Sequence, residues 1–285
     1  MKKPSFPGRR TNNIRRPRRR IRPRRHRPQV ERLEERLALP AIIAFASDLL
    51  APGNVDIYTM KSDGTNITRL TTSTAADDFP AFSADGQKIA FTSDRDDNSE
   101  IYVMDADGSN QTQVTNNTAI DLEPSWSPDG TQIAFASTRD GGDFDIFKLT
   151  LATSIVTQLT ATPFTDSEPA WSPDGTQIAF ISERNNINFF ELFLMNTDGT
   201  SPAALLPGMT SVFGPSWSKD GSKLAFSKGI SNLDEDLFIV DKSGTTGLLQ
   251  LTSNSFVDRA SSWSPDGGQL TFERIGGLGN TIVTV

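Results

Sequence analysis

Short apolar runs recur along this chain at a fixed interval, each bounded by polar residues and turn-forming glycines. Six of them read Ile42-Ile-Ala-Phe45, Lys88-Ile-Ala-Phe91, Gln132-Ile-Ala-Phe135, Gln177-Ile-Ala-Phe180, Lys223-Leu-Ala-Phe226 and Gln269-Leu-Thr-Phe272. Five follow a turn motif, Trp126-Ser-Pro-Asp-Gly130, which returns as Trp171–Gly175 and Trp263–Gly267 and more loosely as Phe82–Gly86 and Trp217–Gly221. The aromatic residues opening these copies are 44, 45, 46 and 46 residues apart. Runs this short, with Ile, Phe, Leu and Val, are strands rather than helices. A fixed period of this length built from short strands predicts radial repetition of one small sheet, a β-propeller.

Within each copy four strand positions follow from the turn chemistry. The first runs into the Trp or Phe. Ser-Pro-Asp-Gly then turns the chain, with Pro presetting φ, Asp bonding local backbone and Gly taking positive φ. The second strand is the Ile-Ala-Phe run. After a polar loop comes a third, as in Glu100-Ile-Tyr-Val-Met104 and Asp145-Ile-Phe-Lys-Leu149. Hairpins such as Asp107-Gly108 and Asp198-Gly199 lead to a fourth, typified by Thr68-Arg-Leu-Thr71. Six second and six third strands are recognisable, but only five first and five fourth strands. The 22 strands fall two short of six complete blades. Either both terminal blades are three-stranded, or the stretch near Glu31–Pro40 supplies a strand, or the chain is shorter than its functional parent.

Charge divides the chain into two parts. The net charge of −7 combines a segment of about +12 over residues 1–36, with 15 Lys or Arg against three Glu, and a remainder of about −19. The basic segment has little apolar content and several prolines, so residues 1–40 are expected to be a disordered basic tail and residues 41–285 the propeller. The segment Leu37–Ala46 has the length of a short signal-peptide apolar core and ends in Ala44-Phe-Ala46. Because Ile42–Ser47 also matches the repeat strand, the strand reading is preferred. No apolar run is long enough to cross a membrane as a helix.

Candidate chemistry is sparse. Asp77, Asp121, Asp166 and Asp258 lie five residues before the turn aromatic, where a fifth copy has Val212, and Glu123 and Glu168 follow two residues later. Sixfold geometry would gather these carboxylates at one mouth of the central channel, able to take a cation or basic peptide. The competing reading pairs the Asp residues with Arg95, Arg139 and Arg184, four residues after the repeat Phe. The copy with Val212 has Ile230 in the Arg position. Pairing is the preferred reading for the Asp residues and leaves Glu123 and Glu168 freer to bind. Asp105–Asn110 echoes the opening of a calcium loop but lacks its distal Glu and sits where a hairpin is needed. The one histidine, His26, lies in the basic segment and there is no cysteine, so neither a Ser-His-Asp triad nor a His- or thiolate-based metal site can be built in the propeller. No metal and no cofactor are expected.

The pattern Asp-x-x-Pro-x-Trp-Ser-Pro-Asp-Gly-x-x-Ile-Ala-Phe-x-Ser-x-Arg, followed by Ile-Tyr-x-Met and Asp-Gly, resembles the six-bladed propeller of the TolB family. The resemblance covers about residues 41–285 in five copies. It implies an all-β, six-bladed propeller outside the cytoplasm, in the periplasm or at the cell surface, whose task is to bind a protein partner of the envelope. TolB carries an α/β domain before its propeller, to which the forty Arg-rich residues here do not correspond. Val30-Glu-Arg-Leu-Glu-Glu-Arg-Leu37 after the basic leader resembles the start of many bacterial exported and surface proteins. The inventory argues against the His- and metal-dependent lyases among related propellers and so against an enzyme. The alternative is a degenerate polysaccharide-active or sugar-binding propeller using channel carboxylates. The basic tail can contact anionic surfaces; with only Phe6 for stacking, nucleic acid is not an expected partner.

Overall fold

The computed structural model describes residues 31–32, 42–185, 189–231, 234–264, 267–276 and 279–285. These residues form only strands, turns and loops, 23 strands in all. Blades 2, 3 and 4 are four-stranded meanders whose second strands are Lys88–Ser93, Gln132–Ser137 and Gln177–Ser182. Blade 5 has the same plan around Lys223–Ser231. A single parallel bridge, Glu235 to Val257, joins it to the three strands of blade 6. Blade 1 is completed from the segment read as tail. Glu31–Arg32 pair antiparallel with Ile42–Ser47 at the inner-strand position. They touch the inner strands of blades 2 and 6, so the six inner strands form a ring. This is one of the alternatives left open by the strand count, that the stretch near Glu31–Pro40 supplies a strand; two charged residues carry no strand signature by which the sequence alone could have chosen it. The other residues of the 1–40 segment lie outside the described residues.

The Ile-Ala-Phe run explains the core. In an extended strand, successive side chains face opposite sides. Ile89 and Phe91 therefore join Ala44, Ala46 and Ile57 of blade 1, while Ala90 joins Ile133 and Phe135 of blade 3. The same division recurs in the slabs between blades 3 and 4 and between blades 4 and 5. Ring closure uses it once more, with Ile43, Phe45, Tyr58 and Met60 of blade 1 packed on Ile282 of blade 6. The core is thus a set of slabs between blades, each with a large-residue side and a small-residue side.

The turn motif forms as its chemistry predicts. Gly130 has φ 69° and donates its N–H to Ser127 O at 2.9 Å, while the Asp129 carboxylate accepts from Ser127 Oγ at 2.6 Å and from the Thr131 N–H at 3.0 Å. In the hairpins glycine has a second reason. At Gly199, φ 86°, a Cβ would stand 2.6 Å from Leu159 O of the preceding blade.

Candidate binding channel

Each inner strand after blade 1 contains one irregularity that shapes the channel. The residue three before the turn aromatic turns left-handed: Phe79, Glu123, Glu168, Gly214 and Ala260 have φ between 54° and 59°. The strand pairing shifts register at these points, as a β-bulge does. A bulged residue leaves its backbone N–H outside the ladder; Phe79 gives its own to the Asp78 carboxylate, and in two other blades the neighbouring blade takes it up. The Glu123 carboxylate accepts the Glu168 N–H at 2.8 Å, and the Glu168 carboxylate accepts the Gly214 N–H. Glu123 and Glu168 are 2% and 6% exposed. The two carboxylates read from the sequence as most available to a ligand are therefore staples between blades.

The aspartates are buried ion-pair partners. Asp121 accepts from Arg139 Nη2 at 2.6 Å, from Ser137 Oγ at 2.5 Å and from Asn117 Nδ2 at 2.9 Å. Arg184 reaches Asp166 at 2.7 Å, and Arg95 reaches both oxygens of Asp77 at 3.0 Å. Each of these arginines donates its Nε–H to the serine two residues earlier and covers the aromatic pair of strands two and three. Arg139 Cζ lies 5.0 Å and 5.2 Å from the Phe135 and Phe147 ring centroids. Asp258 is held by Arg274 at 2.7 Å and 2.8 Å, an arginine within the second strand that the spacing rule does not find. Blade 1 has a different pair, Arg69 on its outer strand with Asp56 at 2.6 Å. Among the described residues no group of His, Cys, Asp and Glu could hold a metal ion, and no helix is long and apolar enough to cross a membrane.

The open part of the channel lies at the other end of the inner strands. A cavity of about 560 Å³ is lined by the Pro-x-Trp-Ser segments of the inner strands. Pro80, Pro124, Pro169 and Pro215 line it together with serines such as Ser125 and Ser261. The edges of Trp126, Trp171, Trp217 and Trp263 line the mouth, with Lys219 the one charged lining residue among those described. The tryptophans are core residues as well. Their indole N–H groups reach back to the preceding blade, Trp126 to Ala81 O at 3.0 Å, Trp217 to Ala170 O at 3.0 Å and Trp263 to Ser216 O at 3.2 Å. The Trp171 indole N–H is buried without a partner. None of the six carboxylates singled out from the sequence lines this cavity.

Known proteins share this architecture. The chain is similar to TolB from Acinetobacter baumannii, with 23% identity, TM-score 0.75, and coverage of 86% of this chain and 60% of that one. It thus spans about 60% of that relative's length. A putative TolB from Agrobacterium tumefaciens is 21% identical over 86% of both chains, with TM-score 0.68. An oligogalacturonate lyase in complex with manganese is 14% identical, with TM-score 0.59, over 87% of this chain and 78% of the lyase. At these identities the likeness is one of fold. Among curated proteins none matches the chain. The model of the Tricorn protease N-terminal β-propeller domain matches residues 51–144, and that of the TolB β-propeller domain matches residues 141–285. With more than half of its length matched by the second of these, the chain belongs to the TolB β-propeller family.

Proposed function

We propose that this protein is a non-enzymatic binding scaffold outside the cytoplasm that receives a segment of a partner protein, one of the envelope, in the Trp-lined mouth of its channel. The observation that carries this reading is the lining. Proline, serine and tryptophan around a concavity offer apolar faces and neutral hydrogen-bonding groups, the chemistry that grips extended, proline-containing peptide. Placement outside the cytoplasm rests on the likeness to TolB. The polysaccharide alternative requires channel carboxylates, and those the sequence offered are already committed to arginine or to backbone N–H groups away from this cavity.

A peptide library displayed on phage and selected on the full chain tests the reading, with intrinsic tryptophan fluorescence as the direct readout of binding. Selected peptides should shift the emission. Ser261→Phe, which fills the cavity, should weaken them at least tenfold with little change in Tm. Binding that survives the filled cavity, or a rise in Tm with oligouronates while no peptide binds, would overturn it.

A further inference from the structure

The channel has a second mouth, where the inner strands begin, and the Glu31–Arg32 strand starts on that side. Glu31 stands opposite Ala44 and Arg32 opposite Ile43. The second strand of each blade runs from the Trp mouth toward the second mouth, so Glu31 lies nearer the second mouth than Arg32. Traced from Arg32 to Glu31, the strand points toward that mouth. Residues 1–30 contain thirteen Lys or Arg and no acidic residue.

The face around that mouth has the opposite charge. It exposes Asp94, Asp96, Asp97 and Asp140 in the loops between second and third strands. None of the four has an ion-pair partner among the described residues. The arginines of the same loops, Arg95, Arg139 and Arg184, are turned inward onto buried aspartates. At the Trp end Lys88 and Lys223 pair with Asp105 and Asp241, while Asp85, Asp129, Asp174 and Asp220 are exposed in its turns, so it is the direction of the Glu31–Arg32 strand that selects the face. Two apolar side chains, Leu50 and Ile120, stand exposed on the acidic face.

We propose that residues 1–30 dock in cis on this acidic, partly apolar face, with the Glu31–Arg32 strand as the tether. Each exposed charge pair contributes little and is screened by salt. The tether supplies a high effective concentration, so many weak pairs suffice. Docking on the face also makes the basic segment unavailable to other anionic surfaces at low salt.

The absence of cysteine makes a specific double-label experiment possible on the full chain. Spin labels at Asn13→Cys and Gly142→Cys report on the acidic face, where a side chain at 142 meets open space. Labels at Asn13→Cys and Thr176→Cys report on the exposed opposite end. At low salt the 13–142 distance distribution should be shorter and narrower than the 13–176 one. It should broaden at roughly 1 M salt, where the Debye length is about 3 Å. Asp97→Lys with Asp140→Lys should produce the same broadening without salt. Equal low-salt distributions, a shorter distance to 176, or a 13–142 distribution indifferent to the charge reversal would overturn the proposal. Loss of the short distance on dilution with unlabelled protein would overturn it too, assigning the contact to a second copy.

Discussion

The Glu123 carboxylate crosses a blade boundary to accept the backbone N–H of Glu168, its own counterpart one repeat later. Glu168 does the same to Gly214, and there the series stops because Gly214 has no side chain to pass it on. The bulge that frees each N–H also lifts each carboxylate out of the channel, so one backbone irregularity creates both the need and its partner.

Replacing Glu168 by Ala leaves the part-buried Gly214 N–H without its acceptor and should cost about 1 kcal/mol. Glu168→Gln keeps an acceptor oxygen and should recover most of that loss. Urea denaturation of the two variants separates these outcomes; equal losses would show that packing, not the hydrogen bond, is at stake.

Asp121→Ala strands the Arg139 guanidinium over its two rings and should destabilise by about 3–5 kcal/mol. Arg139→Lys keeps the charge but loses the planar fork and the stacking, and should still be clearly destabilising. A double-mutant cycle on the pair should show a coupling energy above about 0.5 kcal/mol.

The tryptophans should respond in two grades. Trp217→Phe removes the bond to Ala170 O and should cost about 1 kcal/mol. Trp126→Ala empties part of an inter-blade slab and should cost about 3–5 kcal/mol. Chemical denaturation measures both, and a negligible cost for Trp126→Ala would mean that the ring serves the channel rather than the core.

Stability should fall as pH rises from about 4 to 7. Burial pushes the Asp145 carboxyl up to about 6, only partly opposed by the Thr160 hydroxyl, and burial raises Glu100 and Asp56 at the equivalent positions. A carboxyl whose folded pKa is raised contributes stability below its unfolded pKa and loses it as pH passes the folded value. Asp220 acts in the opposite sense. Its hydrogen bonds from Ser218 and Ser222 hold it down to about 2, so its contribution is lost only as pH falls below the ordinary Asp range. Asp145→Asn should flatten the neutral limb of a Tm-against-pH profile; a limb of unchanged slope would refute the assignment.

The repeat made the architecture legible, because a strand with Ile and Phe at alternate positions and a Ser-Pro-Asp-Gly turn can be read locally. The pairing of Asp121 with Arg139 was legible too, since blades 2, 3 and 4 carry both partners and blade 5 carries neither. The roles of Glu123 and Glu168 were not. A left-handed bulge residue has no obligatory sequence signature unless it is glycine, and only Gly214 hints at one. Nor was the Trp-lined cavity visible, because identical residues serve as inter-blade core on one edge and channel wall on the other. Arg274 escaped because it reaches its aspartate from within the strand, where blades 1 to 4 carry serine and blade 5 carries Lys228.

The alternation of large and small side chains gives every blade two unlike sides, and the unlike sides meet. Contacts of this head-to-tail kind extend indefinitely unless the rotation per step returns the last unit to the first. Nothing within a blade counts to six; the number is set by the angle of one contact, repeated. A gene that gained or lost one repeat would keep every local contact satisfied and fail only at the seam, where Ile282 meets Ile43 and Phe45.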